Sequence, residues 1–198
     1  MGYFFSILCV SVAMYFLGSV PFGLLIARRF CGLDPRLDGS HNVGATNVAR
    51  LCGFKWGVLT LACDVLKAYV PVAFLAASGS PELAYPAALC VICGHMFSFF
   101  LNYKGGKGVA TTVGVFLALS PWHLVVAGIA CLAVIWRSGY VSAGSLVLVL
   151  TLPLLFLCTG SFGKMLFALV VAALVVYKHR DNIRRLFRGE EKAWLKKE

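Results

Sequence analysis

The run YFFSILCVSVAMYFLGSVPFGLLIA occupies residues 3–27 and is followed directly by Arg28 and Arg29. This run exceeds the roughly 20 apolar residues that an α-helix needs to cross the hydrocarbon core of a bilayer. It is too long for the apolar part of a cleavable signal, and no basic residue precedes it, so we expect a retained span. The run therefore predicts a chain that folds in a membrane.

The composition of the whole chain agrees with this. Of its 198 residues, 60% are hydrophobic and 13% are charged, and the mean hydropathy is +0.86. Soluble domains are about half apolar and a quarter charged. We predict an all-α integral membrane protein with a single membrane-embedded domain over residues 1–198.

The net charge of +10 would suit a nucleic-acid partner in a soluble protein. In a membrane protein, basic residues accumulate on the cytoplasmic side. We therefore expect membrane lipid, and no nucleic acid, as the partner of these charges.

Gly-rich and Pro-containing breaks divide the chain into apolar segments. They lie at about 3–27, 56–79, 83–103, 108–119, 121–136, 141–159 and 162–177. The fourth and fifth are short and meet at Ser120–Pro121. We predict seven transmembrane helices, or five if that pair does not span.

The distribution of basic residues predicts the orientation. All Lys and Arg residues except Lys67 and Lys164 lie in alternate connections, namely 28–55, 104–107, 137–140 and the tail from Lys178. Cytoplasmic loops carry such an excess. The N-terminus is therefore predicted outside and the C-terminus in the cytoplasm. The motif-bearing loops all lie on the cytoplasmic face, which suggests a single site.

The first polar cluster is DGSHNVGATNVAR, residues 38–50. Its small residues let a ligand approach the backbone, and its short polar side chains supply hydrogen-bond donors. Arg50 adds a planar cation suited to phosphate or carboxylate. GATN followed by VAR resembles a helix start, whose free N–H groups favour an anion. A capped loop with an ordinary glycine turn is the alternative.

The second cluster is GHMFSFFLNYKGGKGVATT, residues 94–112. Lys104 and Lys107 flank two glycines at the start of a helix, which predicts a nest for an anion. Positive-inside anchoring would explain the lysines but not the glycines. We interpret His95 as structural. Two charged residues, Asp64 and Lys67, lie deeper in the apolar segments. They either form a structural ion pair or support the site, and the sequence leaves both roles open.

The third cluster is YKHRDNIRRLF, residues 177–187. His179 and Asn182 are three residues apart and share a helix face. The apolar stripe and the arginines around it predict that residues 179–198 form a basic interfacial tail on anionic lipid. In RSGYVSAGS, residues 137–145, Ser142 is either a helix cap or a ligand.

The connections 28–55, 104–107 and 137–140 hold many cations and donors but only two carboxylates, Asp34 and Asp38. This balance predicts an anionic ligand that carries phosphate, and it predicts no metal site. Cys90 and Cys93 form a CxxC without a second pair of ligands. A Ser–His–Asp triad is not excluded, although no GxSxG elbow occurs. A transporter of a phosphate-bearing solute is the rival class, but it would place its site near the midplane within inverted repeats, and no repeat is visible.

The order and spacing of GSVPFGLLIAR (18–28), GSHNVGATNVAR (39–50), GHMFSFFLNYKGGKGVAT (94–111) and the terminal HRDNIRR resemble the bacterial PlsY family of acyl-phosphate:glycerol-3-phosphate acyltransferases. The resemblance covers essentially the whole chain. It implies a seven-helix enzyme of the bacterial inner membrane with its active site facing the cytoplasm, without a cofactor and monomeric.

The resemblance also implies a reaction in phospholipid biosynthesis. A fatty acyl group passes from acyl phosphate to the C1 hydroxyl of glycerol 3-phosphate, which gives lysophosphatidic acid and inorganic phosphate. Acyltransferases of glycerolipids that use thioester donors carry a His followed five residues later by Asp. None of the four His residues is followed by Asp at that offset.

The resemblance assigns roles residue by residue. The catalytic and glycerol 3-phosphate group is Ser40, Arg50, Lys107, His179 and Asn182. The acyl-phosphate cradle is Asn42, Gly44, Ala45, Thr46, Asn47, Lys104, Gly105, Gly106, Gly108 and Ser142. Either His179 or the donor's own phosphate accepts the proton. Position 41 is His where the family motif leads us to expect Gly, and a non-Gly residue resists positive φ.

Overall fold

All regular structure in the described part of the chain is helical, as the apolar segments predict. The computed structural model describes residues 2–79 and 81–194, and no β-strand occurs among these residues. Within them lie a short 3-10 helix (Phe99–Leu101) and the following α-helices: α1 (Gly2–Ser19), α2 (Phe22–Cys31), α3 (Ala45–Cys52), α4 (Phe54–Ala77), α5 (Pro81–Met96), α6 (Val109–Leu119), α7 (Pro121–Ser138), α8 (Val141–Cys158), α9 (Phe162–Lys178) and α10 (Arg180–Arg188). Residues 195–198 of the predicted tail lie outside the described residues.

The chain divides into two compact units, Met1–Leu119 and Ser120–Glu198. The division falls at Ser120–Pro121, where the sequence predicts a break. Pro121 is the first residue of α7, a position that tolerates proline because its N–H would have no helical partner. The first unit contains α1–α6 and the second contains α7–α10.

Five segments of the described chain are long and apolar enough to cross a membrane: Phe4–Cys31, Phe54–Ala77, Glu82–Leu101, Pro121–Ser138 and Val141–Cys158. The pair α9 and α10, bent by 62°, makes a sixth if it counts as one span. Of the two short predicted segments, the one at 121–136 extends to Ser138 and reaches spanning length. The other is α6, whose 11 residues cover only about 16 Å at 1.5 Å per residue.

The first apolar run is two helices, not one, because Pro21 has no backbone N–H with which to continue α1. The carbonyl groups at this break are satisfied by side chains from other helices. Ser98 Oγ donates to Ser19 O at 2.6 Å, and Lys67 Nζ donates to Val20 O at 2.9 Å. Since lipid offers no hydrogen bonds, such internal partners are obligatory at a broken span. The break is therefore tied to α4 and to the end of α5.

Close backbone approach joins α1 to α5. A side chain at Gly18 would overlap the carbonyl of Val91, and one at Gly94 would overlap the carbonyl of Tyr15. Small residues permit this distance, which dispersion contacts and hydrogen bonds then stabilise in the absence of a hydrophobic drive between helices in lipid. Tyr15 adds a hydrogen bond from its hydroxyl to Phe97 O at 2.7 Å. These contacts hold the end of α5, and with it the start of the second polar cluster, against α1.

Candidate active site

The loop that leads into α3 is fastened at its first end by an ion-pair cluster. The carboxylate of Asp34 receives Arg36 Nε at 2.9 Å, Arg36 Nη2 at 2.7 Å and Arg28 Nη2 at 2.8 Å. The hydrogen bond from Arg36 holds the pKa of Asp34 well below its ordinary value, against the opposing effect of burial. Because Arg28 belongs to α2, the cluster attaches the loop to the end of the first span.

Asn47 organises the same loop from its other end. Its side chain is 1% exposed, and its Oδ1 accepts the backbone N–H of Ser40 at 2.8 Å. Its Nδ2 donates to the carbonyls of Pro35 (2.9 Å), Asp38 (3.1 Å) and Asn42 (3.0 Å). The side-chain amide of Asn47 therefore supplies hydrogen bonds to backbone groups that no regular secondary structure satisfies in this loop. In the structure the polar atoms of Asn47 point into the loop.

The predicted helix start is present. The backbone of Gly44 is extended (φ −74°, ψ 160°) and α3 begins at Ala45. Asn42 Oδ1 accepts the N–H of Gly44 at 2.9 Å, a turn that sets this entry. Thr46 lies in the first turn, where Asn47 N already donates to Gly44 O at 3.0 Å. Arg50 lies in the last turn, half-buried, and no carboxylate in the described part of the chain pairs with it.

His41 adopts the left-handed conformation, with φ of +54°. This agrees with the sequence expectation that the position suits glycine. The backbone N–H of His41 donates to Asp38 O at 3.0 Å, and its Nδ1 lies 3.2 Å from Arg36 O. Since a carbonyl only accepts, Nδ1 carries the proton in this contact. Two local hydrogen bonds thus compensate for an unfavourable φ.

Replacement of His41 tests this strain. We expect His41→Gly to retain the melting temperature or raise it, since glycine adopts positive φ without steric cost. We expect His41→Val to lower stability by about 1–2 kcal/mol, since a β-branched residue clashes there. Thermal melting of both variants in the same detergent is the measurement. Equal melting of the two would show that the left-handed backbone carries no cost.

The KGGKG loop, residues 104–108, is fastened to the end of α5. Gly105 N donates to Met96 O at 3.2 Å, and Gly106 N donates to His95 O at 3.0 Å. Gly108 has φ of +85°, which only glycine adopts readily, and α6 follows at Val109. Lys104 is exposed and Lys107 is half-buried at the two ends of this turn. The N–H groups of Lys104, Gly105 and Gly106 thus already donate to backbone carbonyls, and the glycines of the loop pack against the end of α5.

The two predicted loops of the first unit lie together. Val43 from the first loop and Leu101, just before the KGGKG loop, are each 5% exposed and pack in one apolar cluster with Leu24 of α2. Both loops therefore sit at the same end of the unit. Ser40, Arg50, Lys104 and Lys107 all belong to segments at that end.

In the second unit, Glu191 gathers two of the predicted residues. Ser142 Oγ donates to its Oε1 at 2.7 Å, Asn182 Nδ2 donates to the same oxygen, and Arg185 Nε donates to Oε2 at 2.7 Å. Burial by itself raises the pKa of Glu191, but these three hydrogen bonds outweigh it and the pKa lies below its ordinary value. Ser142 of α8 and Asn182 of α10 are thus brought to one carboxylate.

His179 lies at the bend between α9 and α10 and is 2% exposed. Its Nδ1 is 2.8 Å from Val175 O, so Nδ1 carries the proton and donates to this carbonyl. In the neutral ring the lone pair is then on Nε2, the nitrogen that can accept a proton or a hydrogen bond. The local fold therefore selects the tautomer of His179.

Two polar contacts near the predicted site residues are not visible in the sequence. Glu191 lies in the predicted membrane-surface tail, and nothing in the sequence separates it from its neighbour Glu190, which is exposed. His95, predicted to be structural or interfacial, has its ring against Lys67 and beside Gly106. The only available signal for His95 was the pair of intramembrane charges, Asp64 and Lys67.

Known proteins resemble this chain over most of its length. The sequence profile of the family described as "Glycerol-3-phosphate acyltransferase" matches residues 8–189. A protein of that name from Nitratidesulfovibrio vulgaris is 60% identical over 97% of this chain, which spans 59% of that relative's length. A second, from Desulfovibrio desulfuricans, is 54% identical over 96% of this chain and 86% of its own length.

The fold also resembles that of a solved structure. The crystal structure of PlsY (YgiH), described as an integral membrane glycerol 3-phosphate acyltransferase in its glycerol 3-phosphate form, superposes with a TM-score of 0.90. Sequence identity is 37%, and the match covers 95% of each chain. The profile match, the relatives and this common fold together show that the chain belongs to the glycerol-3-phosphate acyltransferase family of PlsY, a family of multi-pass membrane proteins.

Proposed function

We propose that the chain transfers a fatty acyl group from acyl phosphate to the C1 hydroxyl of glycerol 3-phosphate, in phospholipid biosynthesis. The supporting observation is the meeting of the two glycine-rich loops at one end of the first unit, through Val43, Leu101 and Leu24. Together they offer Arg50, Lys104 and Lys107 with backbone N–H groups, which suits ligands that carry phosphate. Both substrates of this reaction carry one.

The reaction does not require a covalent intermediate on the protein. The C1 oxygen attacks the acyl carbonyl, the new ester bond forms, and the bond to phosphate breaks, which yields lysophosphatidic acid and inorganic phosphate. Phosphate is a good leaving group, so no enzyme nucleophile is required. Placement of two anions and stabilisation of the charge on the carbonyl oxygen supply the catalysis.

In the first unit we assign Ser40, Arg50 and Lys107 to glycerol 3-phosphate. The acyl phosphate is assigned to the start of α3 and the KGGKG loop, through Asn42, Gly44, Ala45, Thr46, Lys104, Gly105, Gly106 and Gly108. We assign Asn47 to the architecture of the loop, because its amide already bonds four backbone groups.

In the second unit we assign His179 and Asn182 to the acceptor hydroxyl and Ser142 to the donor. Two proton routes are compatible with the tautomer of His179. In one, Nε2 takes the proton of the C1 hydroxyl as general base. In the other, Nε2 accepts a hydrogen bond that orients the hydroxyl, and the donor's phosphate takes the proton.

We infer a monomer of the bacterial inner membrane with seven crossings, an outer N-terminus, a cytoplasmic C-terminus and a cytoplasmic site. Seven crossings require α6 to be one of them despite its 11 residues. A short helix is acceptable where protein, not lipid, surrounds it. Thr111, Thr112, Val115 and Phe116 of α6 are all buried, which supports this arrangement.

The test is an assay of purified protein in lipid, given glycerol 3-phosphate with either palmitoyl phosphate or palmitoyl-CoA. We expect phosphate release and lysophosphatidic acid only with palmitoyl phosphate, and only when both substrates are present. Transfer from palmitoyl-CoA would overturn the donor assignment. Passage of labelled glycerol 3-phosphate into sealed vesicles without any transfer would support the transporter class instead.

In the same assay, Arg50→Ala is expected to raise KM for glycerol 3-phosphate by about 10- to 100-fold, the effect of about 1.5–3 kcal/mol for a hydrogen bond to a charged group. The matched control is Arg29→Ala, since Arg29 is exposed and lies over the ring of Phe30. A KM for Arg50→Ala equal to that of the control would remove Arg50 from the substrate site.

A further inference from the structure

We propose that His95 is a positioning residue for the KGGKG loop, held in place by the membrane-buried pair Asp64 and Lys67. Its ring forms the wall against which Gly106 packs, and so it holds the loop in the conformation that binds a phosphate-bearing substrate. The identity of that substrate rests on the proposed function; the contact between ring and loop does not. His95 itself touches neither substrate in this proposal.

One edge of the His95 ring is fixed by a buried polar cluster. Asp64, Lys67 and His95 are 2%, 6% and 7% exposed. Lys67 Nζ lies 2.7 Å from Asp64 Oδ1, 2.9 Å from Val20 O and 3.0 Å from His95 Nδ1. His95 Nδ1 also lies 3.6 Å from Asp64 Oδ1, so the Nδ1 edge of the ring faces both charges of the buried pair.

The opposite edge of the ring faces the KGGKG loop. A methyl group added to Gly106 would overlap His95 Nε2, whereas one added to Gly105 would overlap the backbone oxygen of His95. The backbone of the loop is bonded at the same place, from Gly106 N to His95 O at 3.0 Å and from Gly105 N to Met96 O at 3.2 Å. Rotation of the ring would thus remove the support of Gly106 directly.

The composition of the cluster favours positioning over simple packing. Charged groups inside a membrane are costly, and apolar residues of similar volume fill such a space at least as well. The cluster joins the carbonyl at the break of the first span, through Val20, to the loop, through His95. Preorganised groups of this kind act by holding cations and N–H donors in register with the substrate, and an error of 1 Å can cost about 100-fold in rate.

The first arm of the test compares single and double mutants in the two-substrate assay. We expect His95→Ala to raise KM for an anionic substrate by about tenfold or more and also to lower the melting temperature, because the buried Lys67 loses a contact. Gly106→Ala is expected to lose activity because its methyl meets the ring, and His95→Ala combined with Gly106→Ala is expected to recover at least part of that loss.

The matched control is Gly105→Ala, whose methyl meets a backbone atom that His95→Ala retains. Recovery in the Gly106 pair and none in the Gly105 pair is the expected result. Losses that simply multiply in both pairs would overturn the proposal, as would a His95→Ala variant that melts lower with an unchanged KM.

The second arm does not depend on activity. Asp64→Leu combined with Lys67→Met removes the cluster without leaving one buried charge alone. Amide hydrogen exchange at residues 102–108 is expected to accelerate in this variant and in His95→Ala, while exchange in α7 and α8 stays unchanged. Unchanged exchange at the loop in an active enzyme would overturn the positioning role alone. If the wild type showed no acyl transfer but loop exchange still accelerated in the variants, the proposed function would be wrong and the positioning role would stand.

Discussion

Asn47→Asp is expected to lower acyl transfer by more than about 100-fold and to destabilise the loop before α3. The Nδ2 group of Asn47 donates to the carbonyls of Pro35, Asp38 and Asn42. A carboxylate there would face three carbonyl oxygens with no proton to donate and would itself be buried. Leaving such a charge uncompensated costs about 3–5 kcal/mol, and about 3 kcal/mol corresponds to a 100-fold change in an equilibrium.

The measurements are transfer rate, melting temperature and amide exchange over residues 35–46. Asn102→Asp is the control, because it makes the same chemical change at an exposed position, and Asp tolerates the left-handed backbone of Asn102 (φ +50°) as Asn does. If Asn47 bound acyl phosphate directly, as the family resemblance implies, Asn47→Asp would raise KM with normal exchange in the loop. That outcome would overturn our assignment of Asn47 to loop architecture.

Glu191→Ala is the second large effect, expected to cost about 2–4 kcal/mol of stability and most of the activity. The substitution removes the acceptor of Ser142, Asn182 and Arg185 together. The side chain of Glu191 is only 7% exposed, so water replaces it poorly. Chain truncation after Arg188 is expected to act in the same way, because it removes Glu191 together with the rest of the tail.

Glu190→Ala is the matched control, since Glu190 is a neighbouring carboxylate that is exposed. We expect its melting temperature and activity to match the wild type. A Glu191→Ala variant that melts and turns over like Glu190→Ala would show that the three hydrogen bonds do not contribute.

Glu191 also gives a pH dependence with a definite sign. Its folded-state pKa lies below the ordinary value of 4.5, so the folded protein stabilises the charged form. This stability is fully present above pH 4.5 and is lost as the pH falls from there through the folded-state pKa. Melting curves over this acidic range should show a steeper loss of stability for the wild type than for Glu191→Gln.

Much of the fold follows from local sequence. The apolar segments predict the helices, Pro121 marks the boundary of the two units, and GATN predicts the start of α3 at Ala45. The sequence left the backbone conformation at position 41 open, and the structure gives His41 a φ of +54°. The resemblance to the PlsY family is confirmed by the relatives and by the common fold. The roles of the individual site residues remain predictions.

Other features depended on residues far apart in the chain. His95 and Lys67 are 28 positions apart, and Ser142 and Glu191 are 49 apart. No local pattern predicts such partners. The sequence also suggested substrate contact for Asn47, because a short amide beside glycines is equally typical of a ligand and of a loop hydrogen bond. Only the positions of Pro35, Asp38 and Asn42 around it distinguish these roles.

The sequence by itself determined that the chain is a helical membrane protein, where α7, α8 and α9 begin and to which family it belongs. Apolar length, turn residues and ordered motifs are local properties, and they are readable without knowledge of contacts. The tertiary structure decided which buried groups serve one another: His95 with Lys67 and Gly106, Asn47 with its loop, and Glu191 with Ser142 and Asn182. Those choices depend on which donors and acceptors packing places within about 3 Å, a distance that spacing along the chain does not specify.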